Sequence, residues 1–245
     1  MFKRKKATDD STQPDSDEWD GVTDGTAHAD EDASSDEEPA PPEPVAVDRS
    51  AGPFDIEEVV EPDPMVAERI NFGAVQIPLV DGLEIRVEID PETNEPAAVT
   101  LVHGAGAVQV RAFAGPKSGG GWEQALTELR REISSGGGTV DESAGPFGNE
   151  IAAALTAQDE QGNNVVQPIR FVGVDGPRWT LQGVMFGAGT DRETAGPLED
   201  LFRSIVVVRG DAAMPVGVAL SLTLPTEVPG QVEESDGDDG SQEPV

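Results

Sequence analysis

Between residues 83 and 89 apolar and charged positions alternate, with Leu83, Ile85, Val87 and Ile89 on one side and Glu84, Arg86 and Glu88 on the other. A period of two predicts a half-buried β-strand. Pro, Asn and acidic residues from Asp90 to Pro96 mark a turn, after which Ala97–Val102 and Ala107–Ala114 read as a hairpin around His103-Gly104-Ala105-Gly106. The period then lengthens. Trp122, Ala125, Leu126, Leu129 and Ile133 share one stripe of a helix opened by Gly119-Gly120-Gly121 and stopped by Gly136-Gly137-Gly138, with Glu123, Glu128, Arg130 and Arg131 largely outside the stripe.

The second half runs in a similar order. Gly148–Ala157 reads as a strand, Asp159–Asn164 as a polar turn, and Val165–Val174 as a strand returning through Asp175-Gly176 into Pro177–Phe186. After a loop over Gly187–Gly196, Leu198, Leu201, Phe202 and Ile205 form the stripe of a second helix, with Pro197 in its first turn, where a missing N–H costs little. Val206–Arg209 fits either a continuation of that helix or an extended segment. Val218, Leu220, Leu222 and Leu224 alternate as a final edge strand. Strand, turn, hairpin and helix thus occur twice, at offsets of 69 to 72 residues (Asp90 with Asp159, Val108 with Trp179, Leu126 with Leu198, Ile133 with Ile205). Two readings stay open: a duplication, or two independent hairpin-plus-helix units. The Gly-Pro-Phe triplets at Gly52 and Gly145 do not share the offset. Either way the expected fold class is α+β, an antiparallel sheet with two packed helices.

Charge then divides the chain. After Lys3-Arg4-Lys5-Lys6, residues 7–48 hold 15 acids and no Lys or Arg, and residues 226–245 hold 7 acids and no base. One-signed, apolar-poor segments cannot bury enough surface to offset chain entropy. We therefore expect a basic start and acidic tail over 1–51 and an acidic tail over 226–245, both disordered, around a single α+β domain at 52–225. From Arg49 to Pro225 there are 26 acids against 12 bases. That balance disfavours polyanions and makes a basic protein partner electrostatically easier. Lys3–Lys6 supports only weak, salt-sensitive attachment to anionic lipid or nucleic acid. No apolar run approaches the roughly 20 residues of a membrane span, and no hydrophobic segment follows the basic start, so a cytoplasmic location is expected.

Composition removes much chemistry. The chain has no Cys and no Tyr, and its two histidines are His28 and His103. Disulfides and thiol nucleophiles are excluded, and no mechanism can use two histidines within the foldable part. His103-Gly104-Ala105-Gly106 lacks a G-x-S-x-G partner, and Gly115-Pro116-Lys117-Ser118 lacks the earlier glycine of a phosphate loop. Gly119–Gly121 can offer backbone N–H groups to an anion or serve as a connector. Asp90, Glu92 and Asn94, and likewise Asp159, Gln161 and Asn163, alternate as calcium loops do but lack the distal Glu, so solvated turns are expected. No catalytic set, metal site or cofactor is expected. The candidate binding residues are Arg170, Asp175, Arg178 and Trp179, because Arg and Trp concentrated in one hairpin can hold a carboxylate, a phosphate or a partner's side chain. The alternative is an ordinary hairpin turned at Asp175-Gly176, with Trp179 packed on Leu181 and Met185.

Several stretches resemble one family. Gly82-Leu83-Glu84-Ile85-Arg86, Gly145-Pro146-Phe147-Gly148, Gln167-Pro168-Ile169-Arg170-Phe171 running into Gly173-Val174-Asp175-Gly176-Pro177-Arg178-Trp179, and Ile205-Val206-Val207-Val208-Arg209-Gly210 are similar to the actinobacterial proteins carrying the uncharacterised domain DUF3710. The resemblance covers roughly residues 50–225 and implies a folded unit without an established activity or catalytic residues. Gln182 departs from it, standing where Arg is more usual. More loosely, the element order is similar to the α/β/α sandwich of Mog1/PsbP-like proteins, a likeness of fold alone. The leading functional expectation is a non-enzymatic, cytoplasmic protein-interaction module. The runner-up is a small-ligand binder or hydrolase using acids and the Arg170/Arg178 hairpin.

Overall fold

The period-two segments pair into one large antiparallel sheet. In the computed structural model, which describes residues 47–59, 68–158 and 162–225, short strands β1 (Phe54–Asp55), β2 (Arg69–Asn71) and β3 (Val75–Pro78) precede β4 (Leu83–Ile89), β5 (Pro96–His103) and β6 (Gly106–Ala114). Helix α1 (Gly121–Ser135) leads to β7 (Thr139–Gly145), β8 (Gly148–Gln158), β9 (Asn164–Gly176) and β10 (Trp179–Gly187), and α2 (Gly196–Arg203) to β11 (Val206–Val207). The large sheet has the order β4-β5-β6-β10-β9-β8-β7, and a small one the order β1-β11-β3-β2, with β1 parallel to β11.

Alternation along β9 and β10 sends side chains to two different layers. Val172, Val174, Leu181 and Met185 face α2 and the small sheet, where they are buried with Leu198, Leu201, Phe202, Ile205 and Ile77. Ile169, Phe171, Val184 and Phe186 face α1 and pack with Trp122, Leu126 and Ile133. The helices therefore lie on opposite faces. Glycines permit the closest approaches, since a Cβ at Gly173 would lie 2.3 Å from the Trp122 ring and one at Gly183 2.8 Å from Phe202.

Four features differ from the sequence expectation. The β9–β10 turn is Pro177-Arg178 and not Asp175-Gly176, because Asp175 and Gly176 still pair with Thr180 and Trp179 and the Asp175 carboxylate is engaged with α1. Strand β7 carries Val140 as its one large aliphatic side chain, so its sequence holds almost no period-two signal, yet it forms the sheet edge. The small sheet was not evident from strands of two to four residues. The 218–224 segment is not a continuous strand. Leu220 and Leu222 are buried, but the backbone joins the sheets only by single bridges, Ala219 with Phe113 and Leu222 with Gly73. Asp159–Gln161, part of the turn expected before β9, lies outside the described residues.

Candidate functional site

The four candidate binding residues are divided among three environments. Arg170 is 1% exposed and faces the α2 layer. Its Nη2 lies 2.8 Å from Glu150 Oε2 and its Nη1 2.8 Å from Glu199 Oε1, while Arg192 Nε donates to the other Glu150 oxygen at 3.0 Å. Burial alone would lower the Arg170 guanidinium, but the two carboxylates outweigh it and hold its pKa above the ordinary value. Arg170 thus ties β9 to β8 and α2, and both charges of the central pair are compensated by this chain's own groups.

Asp175, on the opposite face of β9, caps α1. Its carboxylate accepts hydrogen bonds from Gly120 N at 2.8 Å, Trp122 N at 3.0 Å and Thr180 Oγ1 at 2.7 Å. The anion held by the glycine-rich segment at the start of α1 is therefore Asp175 itself, a helix cap supplied from a distant strand. Glu123 in the same first turn is held above its ordinary carboxylate range by burial first, then by Glu142 and Asp175.

Trp179 is fully buried, packed in the same layer as Leu181 and Met185. Its Nε1 donates to Asp55 Oδ2 at 2.7 Å, and the Arg49 guanidinium stands 5.4 Å from the ring centroid. Asp55, 5% exposed, also accepts from Glu57 N. This tryptophan anchors the 49–58 segment to β10.

Arg178 stands apart from these. It occupies the second turn position with φ +62°, a left-handed conformation that glycine usually takes after Pro in such a turn. The backbone is fixed there because its carbonyl accepts from Gly115 N at 2.9 Å and from Arg209 Nε at 3.0 Å. Among the described residues Arg178 Nη2 donates to the Gly210 carbonyl, at 3.4 Å. Among the described residues Arg178 and Arg209, like Arg69, Arg111, Lys117 and Arg131, have no carboxylate partner, whereas Arg49, Arg86, Arg130, Arg170, Arg192 and Arg203 do; of the unpaired bases these two share one cleft. The two guanidinium groups border a cleft of about 210 Å³ whose other walls include Asp55, Glu57, Pro177 and Asp211.

The structure therefore joins Arg178 and Trp179 to Arg209 and Asp55, two residues that the sequence reading did not single out. Arg170 is not part of this group: it pairs with Met185, six residues along β10 from Trp179, or about 20 Å away. A signal for Arg209 was present, since it lies in one of the distinctive stretches quoted above. Asp55 had none. The Gly173–Trp179 and Ile205–Gly210 stretches, 30 or so residues apart in the chain, meet at the cleft.

A family described as "Protein of unknown function (DUF3710)" matches residues 52–231. The chain belongs to the DUF3710 family. Residues from Asp55 to Asp211, which line the cleft, all fall within the matched DUF3710 region. No curated protein matches the chain. A solved protein structure from Bacteroides thetaiotaomicron is similar to it at 14% identity with a TM-score of 0.36, over 62% of this chain and 52% of that one, so the DUF3710 chain spans about half that protein's length. Among the described residues no helix is long and apolar enough to cross a membrane, and no group of three or more His, Cys, Asp or Glu is placed to hold a metal ion.

Proposed function

We propose that this chain is a non-enzymatic interaction module of the cytoplasm, and that the cleft at the Pro177-Arg178 turn receives an acidic side chain of a protein partner. The observation that carries this reading is the juxtaposition of Arg178 and Arg209 at one cleft, neither ion-paired with the Asp55, Glu57 or Asp211 carboxylates that also line it, in a body whose acids outnumber its bases by more than two to one. Holding a non-glycine residue in the left-handed region costs on the order of 1 kcal/mol, and retained strain of this kind concentrates at binding sites. Glu57 and Asp211 on the same rim repel a polyanion such as nucleic acid while leaving room for a polypeptide surface of mixed charge. The acidic segments at either end add to that repulsion and to solubility. The test is quantitative affinity capture from cells with full-length wild type, Arg178→Glu and Arg178→Gly, each shown to keep its melting temperature. One partner recovered by wild type and depleted with both variants supports the reading; equal recovery from all three overturns it.

A second reading rests on a different place. The C-terminal end of α1 and the adjoining parts of β8 and β9 border an open groove of about 500 Å³ lined by Leu129, Ile133, Leu155 and Phe171 with the Gly136–Gly138 loop. That volume falls in the range of small-molecule sites. A ligand at 100 times its Kd adds about 2.7 kcal/mol to stability. A thermal-shift screen of acyl compounds, nucleotides and phosphates with no response removes this reading without touching the first.

A further inference from the structure

Strand β4 is an edge of the large sheet, and the geometry of that edge is self-complementary. The β5–β6 hairpin has a two-residue loop, Gly104-Ala105, closed by the His103–Gly106 pair, so His103, Leu101 and Val99 direct their backbone groups to β6. Val102, Thr100 and Ala98 consequently bond to Glu84, Arg86 and Glu88. The N–H and C=O groups of Ile85 and Val87 are left pointing outward, and among the described residues no strand pairs with them. Leu83 N, also outward, turns to the Val80 carbonyl.

The register is irregular between Glu88 and Ile89, so the flat part of the free edge ends there and runs over Leu83–Val87, with Ile85 at its midpoint. On one face Glu84 and Arg86 are exposed, at 60% and 63% of their side-chain surface. On the other Leu83, Ile85 and Val87 are half-buried against the core. An antiparallel pairing of two such edges about a dyad at Ile85 sets Ile85 opposite Ile85, Leu83 opposite Val87, and Glu84 opposite Arg86 in both directions. Shifting the dyad to Arg86 sets Arg86 against Arg86 and Glu84 against Glu88. Shifting it to Val87 pairs Arg86 with Glu88 but carries the pairing through the irregularity and sets Glu84 against Asp90. Glu88 is engaged by Thr100 Oγ1 at 2.8 Å and Gln109 Nε2 at 2.6 Å, and Glu84 and Arg86 pair with each other at 2.8 Å in the single chain, so the Ile85-centred register exchanges that exposed pair for cross-strand ones.

We propose that a second copy of this chain docks on β4, edge to edge, in the Ile85-centred register. Cross-strand partners stand about 5 Å apart, inside the roughly 8 Å Debye length at 0.15 M salt, whereas repulsion between the anionic bodies acts over longer distances and is screened. This surface is distinct from the Arg178 cleft and does not depend on it.

Sedimentation of the full chain through a dilution series tests the pairing. Wild type is expected to show a monomer–dimer equilibrium. Arg86→Glu and Glu84→Arg each turn two attractive cross-strand pairs into repulsive ones, so each variant alone should dimerise about tenfold more weakly or worse. Because one variant makes the chain more anionic and the other less so, loss in both separates pairing from net charge. Mixing the two variants sets an edge with acids at both positions against an edge with bases at both, and should restore the dimer as a heterodimer. The double exchange Glu84→Arg/Arg86→Glu should restore it as a homodimer. Unchanged circular dichroism verifies folding, which these exposed positions leave intact. A wild type that remains monomeric, a Glu84→Arg variant that dimerises normally, or a mixture that fails to associate overturns the proposal.

Discussion

Arg178 and Glu123 are the residues whose local physics makes the sharpest demands. Arg178→Gly relieves the left-handed conformation, worth on the order of 1 kcal/mol, but loosens the unfolded chain by about 0.5–1 kcal/mol, so urea unfolding should show stability unchanged or raised by up to about 0.5 kcal/mol. A loss larger than that would mean that the side chain supports the fold. Glu123 is held above its ordinary value of 4.5, so above that pH the folded state keeps a proton that the unfolded state has released. Its contribution to stability therefore falls as pH rises from 4.5 through the raised value, the reverse of an ion-paired carboxylate. Glu123→Gln should flatten that part of the pH–stability curve and leave the more acidic part unchanged. Identical slopes for variant and wild type would contradict the assignment. At this level the sequence was only partly legible. Arg178 was recognisable as unusual chemistry in a hairpin, but its pairing with Arg209, and the withdrawal of Arg170 into a cluster with Glu150, Glu199 and Arg192, are contacts between strands and helices far apart in sequence.

Elements were read best where one face is buried and the other wet. Strand β4, the β5–β6 hairpin, α1, β8 and the stripe of α2 match their periodicities within a residue or two, because alternation and the helical stripe record which face meets the core. Strand β7 and the small sheet carried too few apolar positions to register. What places α1 is less its own stripe than the partner surface. Trp122 sits over Gly173, and its Nε1 donates to the Asn149 carbonyl at 2.7 Å. Gly173→Ala forces a Cβ within 2.3 Å of that ring, an overpacking cost of about 1–3 kcal/mol, and should lower the melting temperature and change the near-ultraviolet dichroism of Trp122. Gly196→Ala meets no atom within 4 Å in the first turn of α2 and should be neutral or stabilising by up to about 1 kcal/mol. Equal losses from both would remove the steric explanation.

In the body as a whole, the contacts that attach the 49–58 segment include two parallel residue pairs between β1 and β11, the Phe54 N–Ile205 O bond, Gly52 against the Arg203 carbonyl, the Arg49 guanidinium over Trp179, and the Trp179–Asp55 hydrogen bond. Trp179→Phe keeps a ring in place and removes one donor from a buried carboxylate, a change of about 1–3 kcal/mol. Limited proteolysis should then cut within 47–59 faster than in wild type, and an unchanged cleavage rate would show that the segment is held elsewhere. The recurrence of strand, hairpin and helix is present in the chain order, yet a dyad through the antiparallel β6–β10 pair, normal to the sheet, would place both helices on one face. They occupy opposite faces. Periodicity and charge were enough to establish the α+β class, the identity of both helices, the β5–β6 hairpin and the absence of thiol chemistry, because these depend on composition and on neighbours a few positions away. Strand order, the face each helix covers, the small sheet, Asp175 as the cap of α1 and the cleft between Arg178 and Arg209 came only with the folded chain. Each joins residues dozens of positions apart, and local periodicity holds no record of which distant surface a buried face will meet.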